Sequence, residues 1–298
     1  MNIQWYPGHM TRAKRAMEAD VKAVDLIIEL VDARAPMATR NPDIIALGQG
    51  KERMIVMNKA DLAEELVSAA WVRAFRAEGT ECFLMDARSR KNLKQLLNLI
   101  EAACAAKRER DRRRGILSRP VRAMVAGIPN VGKSTLINTI AGRSSAKTGN
   151  RPGVTKGNQW IRLNRSVELL DTPGILWPKF EDQRIGEMIA FLGSVNEMLA
   201  EPTALATELI RFLRARDRAD GLYARYELKE GFSTAEILLR IAEKRGCLLS
   251  GGVPDCDKAA GIVMAEYRAG MLGRISLEVP EEIQKKTSEN ISGEVPEK

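Results

Sequence analysis

Histidine and cysteine are both scarce in this 298-residue chain, which has one of the first, His9, and four of the second. Cys82, Cys104, Cys247 and Cys256 include no C-x-x-C pair. A zinc ribbon, a Cys/His zinc cluster and a redox dithiol are therefore excluded, and the wide spacing gives no disulfide framework. The four read as reduced, buried thiols. Long apolar runs are missing too: stretches such as Leu26 to Val31 are broken by acids and far too short to span a bilayer. Met1 to Arg15 lacks the apolar stretch of a secretory signal and does not look like a transit peptide. The expectation is a cytoplasmic protein with no membrane partner. No internal repeat is found.

What is present is the profile of a soluble globular protein, 45% hydrophobic and 29% charged, at a length that favours two domains. A net charge of +8 draws anionic partners, of which nucleic acid is the commonest large one.

Met10 to Val24 carries apolar residues at helical spacing beside Arg12, Lys14, Arg15 and Lys22, which predicts a basic helix leading into a buried strand over Asp25 to Asp32. Further strands are expected at Arg53 to Met57 and Glu81 to Met85, with helices at Glu64 to Glu78 and Leu93 to Lys107. Such alternation implies βαβ units and a parallel sheet covered on both faces. Lys107 to Arg114 is either a basic helix end and linker or a solvated charged helix tail. Val121 to Ala126 then opens a second series in the same sheet, with strands near Gln159 to Leu163 and Val167 to Leu170. Beyond Trp177-Pro178 the patterns at Arg184 to Leu199, Thr203 to Ala215, Thr234 to Arg245 and Asp255 to Ala269 are all helical. The expected organisation is an α/β domain over residues 1–178, a smaller all-helical domain over 179–280 and a disordered tail over 281–298.

Gly127-Ile-Pro-Asn-Val-Gly-Lys-Ser134 fits G-x-x-x-x-G-K-[ST] between a strand and a helix, the context that a phosphate loop requires. Backbone N–H groups around Asn130, Val131 and Gly132, continuing into Thr135 at the helix start, would surround phosphates. Lys133 supplies a positive charge to the β- and γ-phosphates and Ser134 a hydroxyl to Mg²⁺. Asp171-Thr-Pro-Gly174 ends a strand, where Asp171 can hold Mg²⁺ through water and the Gly174 backbone can approach the γ-phosphate. Thr155, in Arg151-Pro-Gly-Val-Thr155, offers a second hydroxyl for the same ion.

Asn58-Lys-Ala-Asp61 places an amide and a carboxylate at a strand end. Guanine presents N–H donors at N1 and N2, so an ionised Asp61 can accept both, whereas adenine would turn a lone pair toward it. Asn58 can tie this loop to the phosphate loop, and the Lys59 stem can cover a face of the base.

These are the fingerprints of a Ras-like GTPase with the base motif ahead of the phosphate loop. The sequence thus resembles the circularly permuted GTPases. Trp5-Tyr-Pro-Gly-His-Met10, Asp32-Ala-Arg-Ala-Pro36, Arg40-Asn-Pro42, Gly251-Gly252 and Gly270-Met-Leu-Gly273 make it similar to their ribosome biogenesis GTPase A family, over a match running to about Pro280. The resemblance implies a Ras-like P-loop fold in permuted order. It also implies GTP hydrolysis, binding to precursors of the large ribosomal subunit and their rRNA, and a late role in assembly, with another RNA or the small subunit as the alternative target. A monomer is expected. Asn130 matches an asparagine linked to K⁺-dependent activity. Asp86-Ala87 stands where the family usually has Ser-Ala, with Ala87 left to offer its N–H to the base.

Ile175 occupies the position at which many GTPases carry a water-orienting glutamine. His9 is then either a structural histidine or the group that orients water, and the resemblance implies the latter. Arg211, Arg214, Arg216 and Arg218 read either as an RNA-facing surface or as a solvated helix face.

Overall fold

Every residue of strand β1 (Leu26–Asp32) is buried, which is what a strand covered on both faces requires of a Leu-Ile-Ile-Glu-Leu-Val-Asp run. It lies between β2 (Glu52–Asn58) and β4 (Val121–Ala126), parallel to both. With β3 (Glu81–Leu84), β5 (Gln159–Arg162) and β6 (Val167–Asp171) these form one six-stranded sheet in the order β3-β2-β1-β4-β6-β5. In this computed structural model residues 8–116, 119–142, 159–177, 180, 182–195 and 201–280 are described, with side chains from Met10 onward.

The two strand series thus share one sheet, joined through β1 and β4. Strand β5 departs from the all-parallel expectation and runs antiparallel to β6. A tight return needs no helical crossover. Asn164 closes it, its Oδ1 accepting from the N–H groups of Ser166 at 2.7 Å and Val167 at 2.8 Å. The helices α1 (Gly8–Asp20), α2 (Pro42–Leu47), α3 (Glu65–Ala77), α4 (Leu93–Ala103), α5 (Ala105–Arg113) and α6 (Lys133–Ala141) accompany the sheet. Met17, Val24, Ile27, Ile44, Met124 and Ile175 pack in one buried cluster, and Val31, Ile55, Met57, Phe75 and Cys82 in another. Helix α5 extends the chain through the stretch with two sequence readings: Lys107–Arg113 is helical, and α5 buries no residue.

The described residues divide into two units, 8–177 with 276–280, and 180–275. The second holds α7 (Gln183–Phe191), α8 (Pro202–Arg214), α9 (Asp220–Tyr226), α10 (Thr234–Lys244) and α11 (Cys256–Arg268). Leu205, Leu209, Leu213, Ile237, Ile241 and Val263 form buried faces on α8, α10 and α11. Arg268 donates to the carbonyls of Ala190 and Phe191, both at 2.9 Å, satisfying the C-terminal end of α7 with a cation.

Ser276–Pro280 departs from the sequence reading, which assigned it to the helical part. It belongs with the sheet. The Leu277 N–H donates to the Arg34 carbonyl at 2.6 Å, the Ser276 N–H to the Glu64 carboxylate at 3.1 Å, and Trp71 Nε1 to the Glu278 carbonyl at 3.3 Å. Among the described residues no helix is long and apolar enough to cross a membrane, and Cys82, Cys104, Cys247 and Cys256 are all free thiols.

Candidate functional site

The C-terminal ends of β1, β2, β4 and β6 meet at one edge of the sheet, where parallel α/β folds gather their ligands. From β4 the chain enters Gly127–Gly132 and then α6. Helix α6 has no acidic residue in its first turn, so the positive end of its dipole is not offset by its own side chains.

The two loop glycines are fixed by protein contacts. A Cβ on Gly127 would lie 2.5 Å from the Leu30 carbonyl oxygen of β1, and one on Gly132 would lie 2.3 Å from Asn58 Nδ2. Gly132 also has φ of +103°, open to few residues other than glycine. Lys133 is buried and donates from Nζ to the carbonyls of Gly127 at 3.1 Å and Ile128 at 2.8 Å. Burial pushes its ammonium down to about 8, with Asp171 opposing. Burial in turn pushes Asp171 up to about 6, against the attraction of Lys133.

The base loop is locked to the phosphate loop through Asn58, which donates from Nδ2 to the Val131 carbonyl at 2.7 Å and accepts at Oδ1 from the Ala87 N–H at 2.8 Å. The Ala87 N–H is thus paired with Asn58, and its carbonyl accepts from Thr139 Oγ1 of α6 at 2.6 Å, so Ala87 joins the two loops. Lys59, at φ of +60°, donates from Nζ to the Asn130 carbonyl and lies 2.9 Å from Asp32. Asp32 is fully buried and gripped by both arms of Arg34, at 2.9 and 2.8 Å. Burial opposes its charge, yet Arg34 and Lys59 outweigh burial and hold its carboxyl well below the usual range. Asp32 and Thr139 are thus structural members of the site. The Asp32-Ala-Arg motif was the only sequence signal for the first, and nothing in the sequence distinguished the second.

Asp61 Oδ2 accepts from Arg88, while Oδ1 is buried with no hydrogen-bond partner. Asp86 accepts at Oδ1 from the Arg88 N–H at 2.9 Å and from Arg88 Nε at 3.0 Å.

In the switch, Thr172 Oγ1 donates to the Val125 carbonyl at 2.8 Å and a Cβ on Gly174 would lie 2.7 Å from Pro129. Ile175 is a core residue, and its carbonyl accepts from Asn41 Nδ2 at 2.8 Å. It can contribute nothing to a reacting water. The Leu176 N–H points at Met10 Sδ, 3.5 Å away, so the first turn of α1 adjoins the switch. Thr155 and the His9 side chain lie outside the described residues. In the helical unit Arg211 pairs with Glu208 at 2.6 Å and Arg216 stacks 3.8 Å over the Phe212 ring, so both have intramolecular partners.

A family model described as the 50S ribosome-binding GTPase matches residues 122–219. That span includes the phosphate loop and switch but not the base loop, which precedes it. Ribosome biogenesis GTPase A of Bacillus cereus is 41% identical over 95% of this chain and 95% of its own. The Thermotoga maritima protein of the same name is 33% identical over 98% and 100%. A GDP-bound YlqF structure aligns with TM-score 0.63 at 28% identity, over 89% of this chain and 99% of the other. The GNP-bound YlqF structure from T. maritima aligns with TM-score 0.59 at 29% identity, over 91% and 99%. With a phosphate loop, a base loop and a switch gathered at one sheet edge and this similarity along nearly the whole chain, the protein is a GTPase that belongs to the ribosome biogenesis GTPase A family.

Proposed function

We propose that this chain is a cytoplasmic, monomeric GTP-driven switch that binds precursors of the large ribosomal subunit and their rRNA and acts at a late step of assembly. The observation that supports a switch is the set of two buried, unpartnered carboxylate oxygens, Asp61 Oδ1 and Asp171 Oδ1, at the same sheet edge. A buried acceptor without a donor is costly, and a ligand with donors at one end and a cation at the other satisfies both. A guanine fits the first. A divalent ion fits the second, where burial has already raised the carboxyl. The target reading rests on the names of the relatives, on the net charge of +8 and on the exposed basic helix α5.

Ser134, Asp171 and Thr155 are the residues that would hold Mg²⁺, which supplies charge neutralisation on the phosphates. The Asn130 side chain is the group offered to K⁺; its carbonyl is bound to Lys59. Asn130, Val131, Gly132, Lys133, Ser134 and Thr135 surround the phosphates, and Lys133 stabilises the charge that grows on them as the bond to the leaving phosphate breaks. His9 orients the attacking water, since buried Ile175 cannot, and the contact between Met10 and Leu176 supports its proximity to the switch.

Co-sedimentation with separated ribosomal subunits, with and without a non-hydrolysable GTP analogue, tests this reading. Retention on large subunits that strengthens with the analogue is expected, and weakens with salt because each neutralised phosphate releases counterions. Retention on small subunits alone would transfer the assignment to that particle. Retention on neither, with free RNA bound, would favour another RNA.

A further inference from the structure

We propose that Arg88, held by Asp86, is a positioning residue that fixes the carboxylate of Asp61 for reading the N2 amine of guanine; this rests on the base-site reading of Asp61. The basis is a chain of hydrogen bonds running outward from the base loop. Ala87 is clamped on both sides, its N–H by Asn58 and its carbonyl by Thr139. That clamp sets the start of Arg88. Asp86 then folds over its own turn, accepting the Arg88 backbone N–H at 2.9 Å and Arg88 Nε at 3.0 Å at one oxygen, with the guanidinium NH2 3.2 Å from the other. Held this way, the same terminal nitrogen, NH2, also donates to Asp61 Oδ2.

An aspartate carboxylate turns freely about its last torsion, where preferences are broad and roughly two-fold. Arg88 removes that freedom at Oδ2 and leaves Oδ1, buried and unpartnered, as the fixed acceptor. An oxygen of a carboxylate has two lone pairs, so Oδ2 can accept from Arg88 and from a base amine together. For Asp86, burial opposes ionisation, but the Arg88 side-chain and backbone bonds outweigh it and lower its carboxyl below the usual range. A serine at position 86, usual in the family resemblance, has neither the second oxygen nor the charge to grip the fork. The departure at Asp86 therefore has a partner in Arg88.

The experiment is to measure equilibrium affinities of the full chain for GDP, inosine diphosphate, which lacks the N2 amine, and xanthosine diphosphate. Wild type is compared with Arg88→Ala, Asp86→Ser, the double variant and Asp61→Asn, with melting temperatures recorded for each. The ratio of GDP to inosine diphosphate affinity cancels the phosphate contacts and isolates the amine. It is expected to fall about three- to fivefold in Arg88→Ala, the scale of a solvent-accessible ion pair. Asp86→Ser should lower it similarly, and the double variant no further than Arg88→Ala alone. Unchanged ratios in both single variants, or equal weakening toward GDP and inosine diphosphate, would overturn the positioning role. Asp61→Asn is read separately. A switch of preference to xanthosine diphosphate keeps the base site whatever Arg88 does, whereas unchanged guanine preference removes the base site itself.

Discussion

Asn58 carries two jobs with one amide, since its nitrogen holds the phosphate loop and its oxygen holds the Ala87 turn. The position is intolerant for that reason: Asn58→Ala leaves the Val131 carbonyl and the Ala87 N–H unpaired, at a cost of about 1–3 kcal/mol for each group that stays buried. Gly132 protects the same contact. Gly132→Ala places a methyl against Asn58 Nδ2 on a backbone at φ of +103°. Calorimetric titration is expected to show GDP affinity down at least about tenfold with a lower melting temperature, by the local overpacking and strain involved. Wild-type affinity would mean that the loop relaxes without Asn58. His9→Ala should divide differently, with nucleotide affinity nearly intact and kcat lowered, because a water-orienting group acts mainly in the transition state. Equal losses in affinity and melting temperature would return His9 to a structural role.

Among the elements, the strap Ser276–Pro280 is the one furthest in sequence from the loops it joins. Glu278 accepts the N–H groups of Met37 at 2.7 Å and Ala38 at 2.9 Å, yet burial pushes its carboxyl up to about 7 against the pull of those two bonds. The folded state therefore keeps a proton that the unfolded chain loses near the ordinary value of 4.5. Its stabilising contribution is complete below that value and is lost as pH rises through about 7. Denaturant unfolding of wild type and Glu278→Gln across pH 5 to 8 checks this. The wild-type advantage should shrink as pH rises, and parallel curves would show that Glu278 does not titrate in this window. Sequence patterns made the strands and most helices legible because their apolar periods are strong: β1 is buried throughout and α10 shows a Ser233 capping box. They could not show α2, which is only six residues long despite Asn41 at its N-cap and Pro42 behind it. Nor could they assign the strap, whose bonds to Arg34 and Glu64 are made by residues more than two hundred positions away. The motifs at Gly127 to Ser134, Asp61 and Asp171 stand out by their spacing, while the pairing of Ala87 and the contacts of Asp32, Thr139 and Arg88 are made by side chains in ways that spacing does not encode.

Across the whole molecule, the helical unit leaves the sheet unit just after the switch and returns to it at the strap. Both connections are tied to loops of the nucleotide site. The switch is held by Asn41 and Gly127, and the strap is held by Arg34, which grips the Asp32 that in turn holds Lys59. With Ile175 in the core, the isolated chain should be a slow GTPase, on the order of 10⁻³ per second or below. The most direct test is GTP turnover measured with purified large subunits, with small subunits and with neither, at low salt and across a salt series. The account predicts acceleration by large subunits that fades as salt rises; acceleration by small subunits alone, or by no ribosomal particle at low salt, would contradict it.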